Sequence, residues 1–499
     1  PDRLEAGTPA IVNVIAFAKA LRLARELGID AFDDTTAQAL SATQIVRDDE
    51  LTAFAGRELL EHLRGTLIGR GVRVPTAEGV RPYVNLDNGA STPTFEPVWT
   101  AVKQTWRQSA AVQRAVVQEA KAVCADVLGA PSAQYDVIFT SNTTEAINLV
   151  AESLAKQAAS DRIEPVVVNT ILEHNSNELP WRTIAGAALV RLGMDAEGFV
   201  DARELETLLC EYNELGGHGA KRIELVAVSG ASNVLGTYND LEALARIAHR
   251  YGAKLLVDAA QLVAHRRVSM ESTGIDYLAF SAHKAYAPFG AGALVARKGL
   301  LAFAPAEMAA IDSSGERNAA GIAALGKALV LLQRIGLDVV QSEEQALTAH
   351  ALRGMARVPG LTLYGVLDAK SPGFARKGGV IPFNLGGAVS QKTARQLAEQ
   401  GGVGVRAGCH CAHLTVKRML GIPPWAQQLQ RAVVTVLPRI ELPGVARVSL
   451  GIENTEADVD TLVDVLQRIA QQSAPQVDVG AQIDEFAAAA QQRVYLLPA

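Results

Sequence analysis

The sequence is poor in cysteine. Its 499 residues include four, Cys124, Cys210, Cys409 and Cys411, too few for a disulfide framework in so long a chain. A reducing cytoplasm is therefore the expected setting. One residue separates Cys409 from Cys411, which disfavours an unstrained bridge. No apolar run reaches about 18 residues, so no membrane-spanning helix is expected; the stretch Ala10–Leu21 is interrupted by Asn13 and Lys19. No charged-then-apolar leader opens the sequence, which begins on Pro1. No block of like charge occurs, and the net charge of −6 leaves no basic face for nucleic acid or an anionic membrane. The segment Cys409-His410-Cys411-Ala412-His413 has zinc-type residues. It lacks a second Cys/His cluster and a ligand spacing, so no metal is expected.

What is present reads as globular, with 49 % hydrophobic and 20 % charged residues. The chain is long enough for two or more domains, each with its own core. The apolar run Ile223–Ser229 precedes Leu241–Tyr251, where Leu241, Leu244, Ile247 and Ala248 form a helical stripe behind a candidate N-cap, Asp240. Further runs follow at Lys254–Val257 and Tyr277–Phe280. Apolar strands alternating with amphipathic helices predict an α/β fold with a mostly parallel, buried sheet. Ligands of such sheets bind at the carboxyl ends of the strands.

Residues Gly321–Gly336 read as a long helix leading into a smaller domain. That domain is predicted to hold strands at Leu361–Tyr364, Gly379–Phe383 and Ala446–Leu450, and a helix from Ser390 to Gln400. The expected division is an N-terminal helical extension (1–78), a large domain (79–320), a small α+β domain (321–471), and a linker with terminal helix Ile483–Leu496 (472–499). Leu4–Asp30 also resembles Asp312–Asp338 without gaps, Gly7 aligning with Gly315, Lys19 with Lys327, Leu21 with Leu329 and Gly28 with Gly336. Two amphipathic helices of similar composition and a duplicated element both account for this.

Chemistry-bearing residues gather at the predicted strand ends. Ser281-Ala282-His283-Lys284 follows one strand, with Gly290-Ala291-Gly292 beyond it. A lysine at the end of a buried strand loses solvation, which favours the neutral amine that condenses with an aldehyde. Ser281 and His283 suit a phosphate, and the glycines let backbone approach a ligand. Asp258, 26 residues before Lys284, is placed either to pair with a pyridinium nitrogen or to cap a helix. Gln261 has a donor for a ring phenolate, and Asn233 can bond the same oxygen. Thr143 and Thr144 open a helix after the strand ending at Phe139-Thr140; such a start binds phosphate, and Ser/Thr-x-x-Glu is also a plain capping box. His174 is either a stacking ring or a structural histidine. Together these are the parts that pyridoxal 5′-phosphate (PLP) requires.

The sequence resembles the class V aminotransferase family, in its cysteine desulfurase and selenocysteine lyase branch, from about Tyr83 to about Asp460. The resemblance rests on LDNGASTP, FTSNTTEAINLV, EHNSNELPWR, SGASNVLGT, VDAAQ, SAHKAYAPFGAG, VRAGCHCAH and ARVSLGIENTEADVD, in that order. It implies the PLP-dependent fold type I. It implies Lys284 as the Schiff-base lysine, Asp258 on the ring nitrogen, Gln261 and Asn233 near the ring oxygen, and His174 on the ring face. Thr143, Thr144, Ser281 and His283 are implied for the phosphate, and Arg447, with Arg406 and Asn88, for the substrate carboxylate. Cys411 falls at the family's nucleophile, which implies sulfur transfer from L-cysteine (or selenium from selenocysteine) through a Cys411 persulfide, leaving alanine.

A cytoplasmic homodimer and a sulfur-acceptor protein are implied as well. The alternatives are another PLP reaction on a small amino acid (aminotransfer, epimerisation or C–S cleavage) and a non-catalytic protein retaining the fold. The sequence departs from the family at Cys409, where a histidine is usual, at Glu453, often tyrosine, and in the long Leu414–Pro443 segment. The family's E-A-G-T-P, whose threonine reaches the neighbouring subunit's phosphate, reads Ser314-Gly315-Glu316-Arg317-Asn318 at its usual place but stands intact at Glu5–Pro9. Either Thr8 serves a phosphate site or the segment is a relic of duplication.

Overall fold

The computed structural model describes residues 11–27, 39–161, 163–386, 389–422 and 444–471. The Glu5–Pro9 segment, most of Leu414–Pro443 and the expected terminal helix lie outside them.

A seven-stranded sheet forms the centre of the large unit. Its strands are β1 (Tyr135–Thr140), β2 (Glu164–Thr170), β3 (Ala188–Leu192), β4 (Lys221–Ser229), β5 (Lys254–Asp258), β6 (Tyr277–Ser281) and β7 (Gly292–Arg297), in the order β1-β7-β6-β5-β4-β2-β3. Only β7 runs antiparallel to its neighbours. This is the mostly parallel sheet of PLP fold type I, flanked by helices. Both faces are buried, which is why the strands read as continuous apolar runs. Along β1, for example, Val137 and Phe139 join one core and Ile138 the other, as the two-residue repeat of a strand requires. Between strands the helix Leu241–Arg250 buries Leu244, Ala245, Ile247 and Ala248, and Asp240 caps it by accepting from Ala243 N at 3.0 Å.

The smaller unit has a four-stranded antiparallel sheet, β8 (Leu361–Leu363), β9 (Val380–Leu385), β10 (Arg406–Gly408) and β11 (Val445–Ser449), in the order β8-β9-β11-β10. Phe383, Leu397, Val448 and Leu462 are among the side chains of its core. The long helix spans Ala319–Ile335, and its residues Ile322, Leu325, Leu329 and Leu332 belong to the large unit's core. A boundary at 320 therefore cuts through one packed core, because the helix docks against Ala110–Val127 and Glu96–Trp106 before the chain turns away. Its look-alike Ile11–Leu27 has a different environment: Val14, Phe17 and Leu21 are exposed, whereas Lys327 is buried against Asp49 at 3.3 Å. Among the described residues no single helix is long and apolar enough to cross a membrane.

Candidate active site

The site is built from the carboxyl ends of the parallel strands, with the small sheet facing them. Gly292 pairs with both Thr140 and Ser281, so the ends of β1 and β6 face each other across a residue without a side chain. A Cβ there would meet Asn142 Cα and Phe280 O, each at 2.8 Å. The close approach lets the helix beginning at Thr143 dock on β6: Thr143 N donates to Ser281 Oγ at 2.7 Å, and the two hydroxyls are 2.6 Å apart. Asn142 caps the same helix by accepting from Glu145 N at 2.9 Å. The helix is thus capped, with Asn142 rather than a Ser or Thr as the capping residue.

Asp258 ends β5 in register with Ser229 and Ala279. It is buried, and Ala260 N donates to its Oδ1 at 3.0 Å. Lys284 lies in the turn Ala282–Lys284 just after β6. Tyr286 follows in a left-handed conformation, φ 64°, which is costly for a bulky residue. Three contacts hold it there. Its N–H donates to Thr92 Oγ1 at 2.8 Å, its carbonyl accepts from Thr94 Oγ1 at 2.8 Å, and its hydroxyl accepts from Ile452 N at 2.7 Å.

The small unit contributes the opposite wall. Arg406 and Arg447 stand directly opposed on β10 and β11. Arg447 is buried; its Nη1 donates to Asn233 O at 2.9 Å and its Nη2 to Asp87 Oδ1 at 2.8 Å. His410 and Cys411 both adopt left-handed backbone, at φ 52° and 54°. The strained turn is pinned from the large unit: Asn233 Nδ2 donates to His410 O at 2.8 Å, and Asn175 N donates to Cys411 O at 2.7 Å. Cys411 is left exposed.

These walls enclose a cavity of about 590 Å³. Lys284, Cys411, His174, Thr143, Thr144, Asn233, Asp258, Gln261, Ser281, His283, Arg447 and Arg406 all line it. Asn88 does not. Its side chain turns into a buried network, donating to Asn454 Oδ1 at 3.1 Å and Ser449 O at 3.3 Å and accepting from Asn85 Nδ2 at 3.0 Å. The expectation of Asn88 at a substrate carboxylate is corrected accordingly; its polar atoms are used in holding the chain against β11. Cys409 also lies outside the lining, packed beside Val416 and Val445.

Enclosure sets the electrostatics. Burial takes the Lys284 ammonium down to about 8, with Asp258 and Cys411 opposing the fall and Arg447 and Arg406 adding to it. Burial raises Asp258 above the usual aspartate value, against the Ala260 N–H and Lys284. His283 falls to about 3, first through burial and then through Lys284.

The residues fit PLP. Among the described residues, His283 Nδ1 and Asn233 Oδ1 are buried without a hydrogen-bond partner, an arrangement that calls for a polar ligand. The Thr143–Ser281 pair at a helix start suits a phosphate, and a buried carboxylate suits a ring N–H.

Sequence reasoning missed several lining residues, among them Asp87 and Ser176. Asp87 stood inside LDNGASTP, and its distance of 3.7 Å from Arg406 as well as 2.8 Å from Arg447 depends on a crossing of two units that no local pattern encodes. Glu173 was also passed over. It is buried and accepts from Ser229 N, Ser229 Oγ, Thr170 Oγ1 and Asn177 Nδ2, fixing the loop that carries His174.

The aminotransferase class-V family model matches residues 84–462. A cysteine desulfurase of Klebsiella pneumoniae is 34 % identical over 425 residues, covering 78 % of this chain and 94 % of that protein. One from Dickeya dadantii is 33 % identical over 376 residues, covering 71 % and 81 %. Among solved structures, the S-sulfonic acid form of a cysteine desulfurase from Escherichia coli aligns with a TM-score of 0.64 at 25 % identity, over 82 % of this chain and 98 % of that one. The apo cysteine desulfurase of Thermococcus onnurineus gives 0.66 at 25 % identity, over 84 % and 100 %. With the family model covering the sheet, the facing domain and every lining residue but Tyr83, this chain belongs to the class V aminotransferase family, in its cysteine desulfurase branch.

Proposed function

We propose that the chain is a PLP-dependent cysteine desulfurase that moves the sulfur of L-cysteine onto Cys411 and releases alanine. The observation that carries this reading is the meeting, in one cavity, of an amine held below its usual pKa, a buried carboxylate and an exposed thiol. When bound, the cofactor supplies an aldehyde for amino groups and a ring that delocalises the electrons released at Cα.

Lys284 would hold the cofactor through its amine and would take the proton released at the substrate Cα; its neutral form is well populated near pH 8. Asp258 would pair with the ring nitrogen and keep it protonated. Thr143, Thr144, Ser281 and His283 would hold the phosphate, Asn233 and Gln261 would serve the ring oxygen, and His174 would cover the ring. Arg447, assisted by Arg406, binds the substrate carboxylate as a planar fork. Cys411, as thiolate, attacks the substrate sulfur. An S–S bond forms while the Cβ–S bond breaks, its electron pair stays on Cβ, and a proton completes the methyl group. Cysteine and enzyme thiol thus become alanine and enzyme persulfide. In the same reading the enzyme is a cytoplasmic homodimer, passes its sulfur to an acceptor protein, and takes selenocysteine by the same steps.

Cys411→Ala tests it. The variant holoenzyme is expected to keep its cofactor absorption and to lose alanine formation from cysteine by about 10²-fold or more. Full turnover without this thiol would mean a different PLP reaction. No cofactor absorption in the unmodified protein would mean a non-catalytic one.

A further inference from the structure

His174 caps the short turn Asn175–Asn177, its Nδ1 accepting the Ser176 N–H at 3.1 Å. A backbone N–H can only donate, so Nδ1 offers a lone pair there and carries no proton. The buried Ser176 hydroxyl lies 2.9 Å from the same nitrogen and 2.7 Å from Thr144 Oγ1. With Nδ1 accepting, Ser176 Oγ turns its proton to the ring, and the Thr144 hydroxyl donates to Ser176. A directional chain thus runs from Thr144 through Ser176 to His174. Burial first, then the charges of Lys284, Arg447, His283 and Arg406, push the imidazole down to about 3. The ring is neutral at working pH, and its one proton sits on Nε2.

We propose that Ser176 is a positioning residue that locks His174 as the Nε2–H tautomer and ties its ring to Thr144 in the phosphate cup. This rests on the reading of His174 as the residue covering the cofactor ring. It deepens that reading by removing one role. Locked this way, His174 has no lone pair to turn toward the cavity; it stacks and donates, and it takes no proton from Cα. In the proposed reading that task falls to Lys284, which lines the same cavity. Which ring nitrogen is protonated is set by what the other one bonds, and here both bonds come from a single residue.

Nitrogen-15 NMR of the histidine-labelled holoenzyme tests the assignment. The unmodified protein is expected to show one tautomer for His174, protonated at Nε2, from about pH 6 to about 9. Ser176→Ala keeps the backbone N–H on Nδ1 and loses only the hydroxyl, so the Nε2–H form is expected to remain the major one while a minority protonated at Nδ1 appears, with kcat lower by about 3- to 10-fold and KM unchanged. Ser176→Thr, which keeps the hydroxyl, is expected to restore both. A proton on Nδ1 in the unmodified protein overturns the proposal, as does a Ser176→Ala variant with a single tautomer and full kcat. The tautomer is read without turnover, so an error in the assigned substrate leaves this readout standing.

Discussion

Lys284 and Lys377 are both drawn far below an ordinary lysine, to about 8 and about 7, and in both cases enclosure by protein is the main cause. Their surroundings differ. Lys377 is fully buried, and its ammonium donates to Leu235 O at 2.5 Å and to Val380 O. The nearby Glu344 favours its charged form. That carboxylate would be raised by burial, but His265 at 3.0 Å and Arg266 at 2.5 Å bring it to about 2. Lys377 therefore ties the loop carrying Leu235 in the large unit to the start of β9 in the small one through two carbonyls. Lys284 opens onto a cavity of about 590 Å³ shared with Asp258 and Cys411. A depressed lysine does not by itself mark a catalytic amine; free volume and a reacting partner in front of it do.

Removing each amine is the strongest way to break this contrast. Lys284→Ala is expected to lower alanine formation by about 10³-fold or more and to abolish the absorption of the bound cofactor. Lys377→Met is expected to leave kcat within about 3-fold and to cost about 1–3 kcal/mol of stability, because two buried carbonyls lose their donor. Steady-state kinetics and urea unfolding separate the two. A folded Lys377→Met protein as inactive as Lys284→Ala would erase the distinction.

The next effect concerns what faces Lys284. Asp258→Asn keeps the shape and loses the charge, and turnover is expected to fall by about 10²-fold. Because Asp258 raises the Lys284 pKa, the variant's amine should titrate lower. The rate at which apoenzyme captures PLP, followed against pH, should have its midpoint near 8 in the parent and below it in the variant. Arg447→Lys should be milder. Losing the planar fork is expected to raise KM by about 10- to 100-fold while kcat changes less, and an unchanged KM would remove Arg447 from the carboxylate site.

The contrast also separates what local sequence carries from what it does not. Lys284 was legible because it follows a buried strand and precedes a glycine run, and β4, β5 and β6 were legible because burial on both faces leaves continuous apolar residues. Lys377, in Arg376-Lys377-Gly378-Gly379, has the surroundings of a surface loop; its burial comes from Leu235 and Val380, which only the folded chain brings together. Asp87, Ser176 and the inward turn of Asn88 were illegible for the same reason, since side-chain direction at a crossing of two units is a tertiary property. The left-handed His410 and Cys411 were hidden too: neither is a glycine, and the conformation is imposed by Asn175 and Asn233 from the other unit. The helix Ala319–Ile335 was found as a helix, yet its apolar residues could not say which core they join.

The comparison is sharpened further by the pH dependence of stability. Lys377 titrates near 7 when folded, against a reference of 10.5. Between those values the unfolded chain holds a proton that the folded chain has released, so unfolding takes up a proton and stability rises with pH. Below about 7 both states are charged and the contribution is flat. The parent protein is therefore expected to gain stability from about pH 7 toward about 10 relative to Lys377→Met, which has no titrating group there. Lys284 contributes in the same direction over a narrower window, from about 8, but only while its amine is free. Loading the cofactor should remove the Lys284 part and leave the Lys377 part intact. Urea midpoints across this range, with and without PLP, separate the two lysines; a parent curve parallel to that of Lys377→Met would show that Lys377 stays charged in the fold.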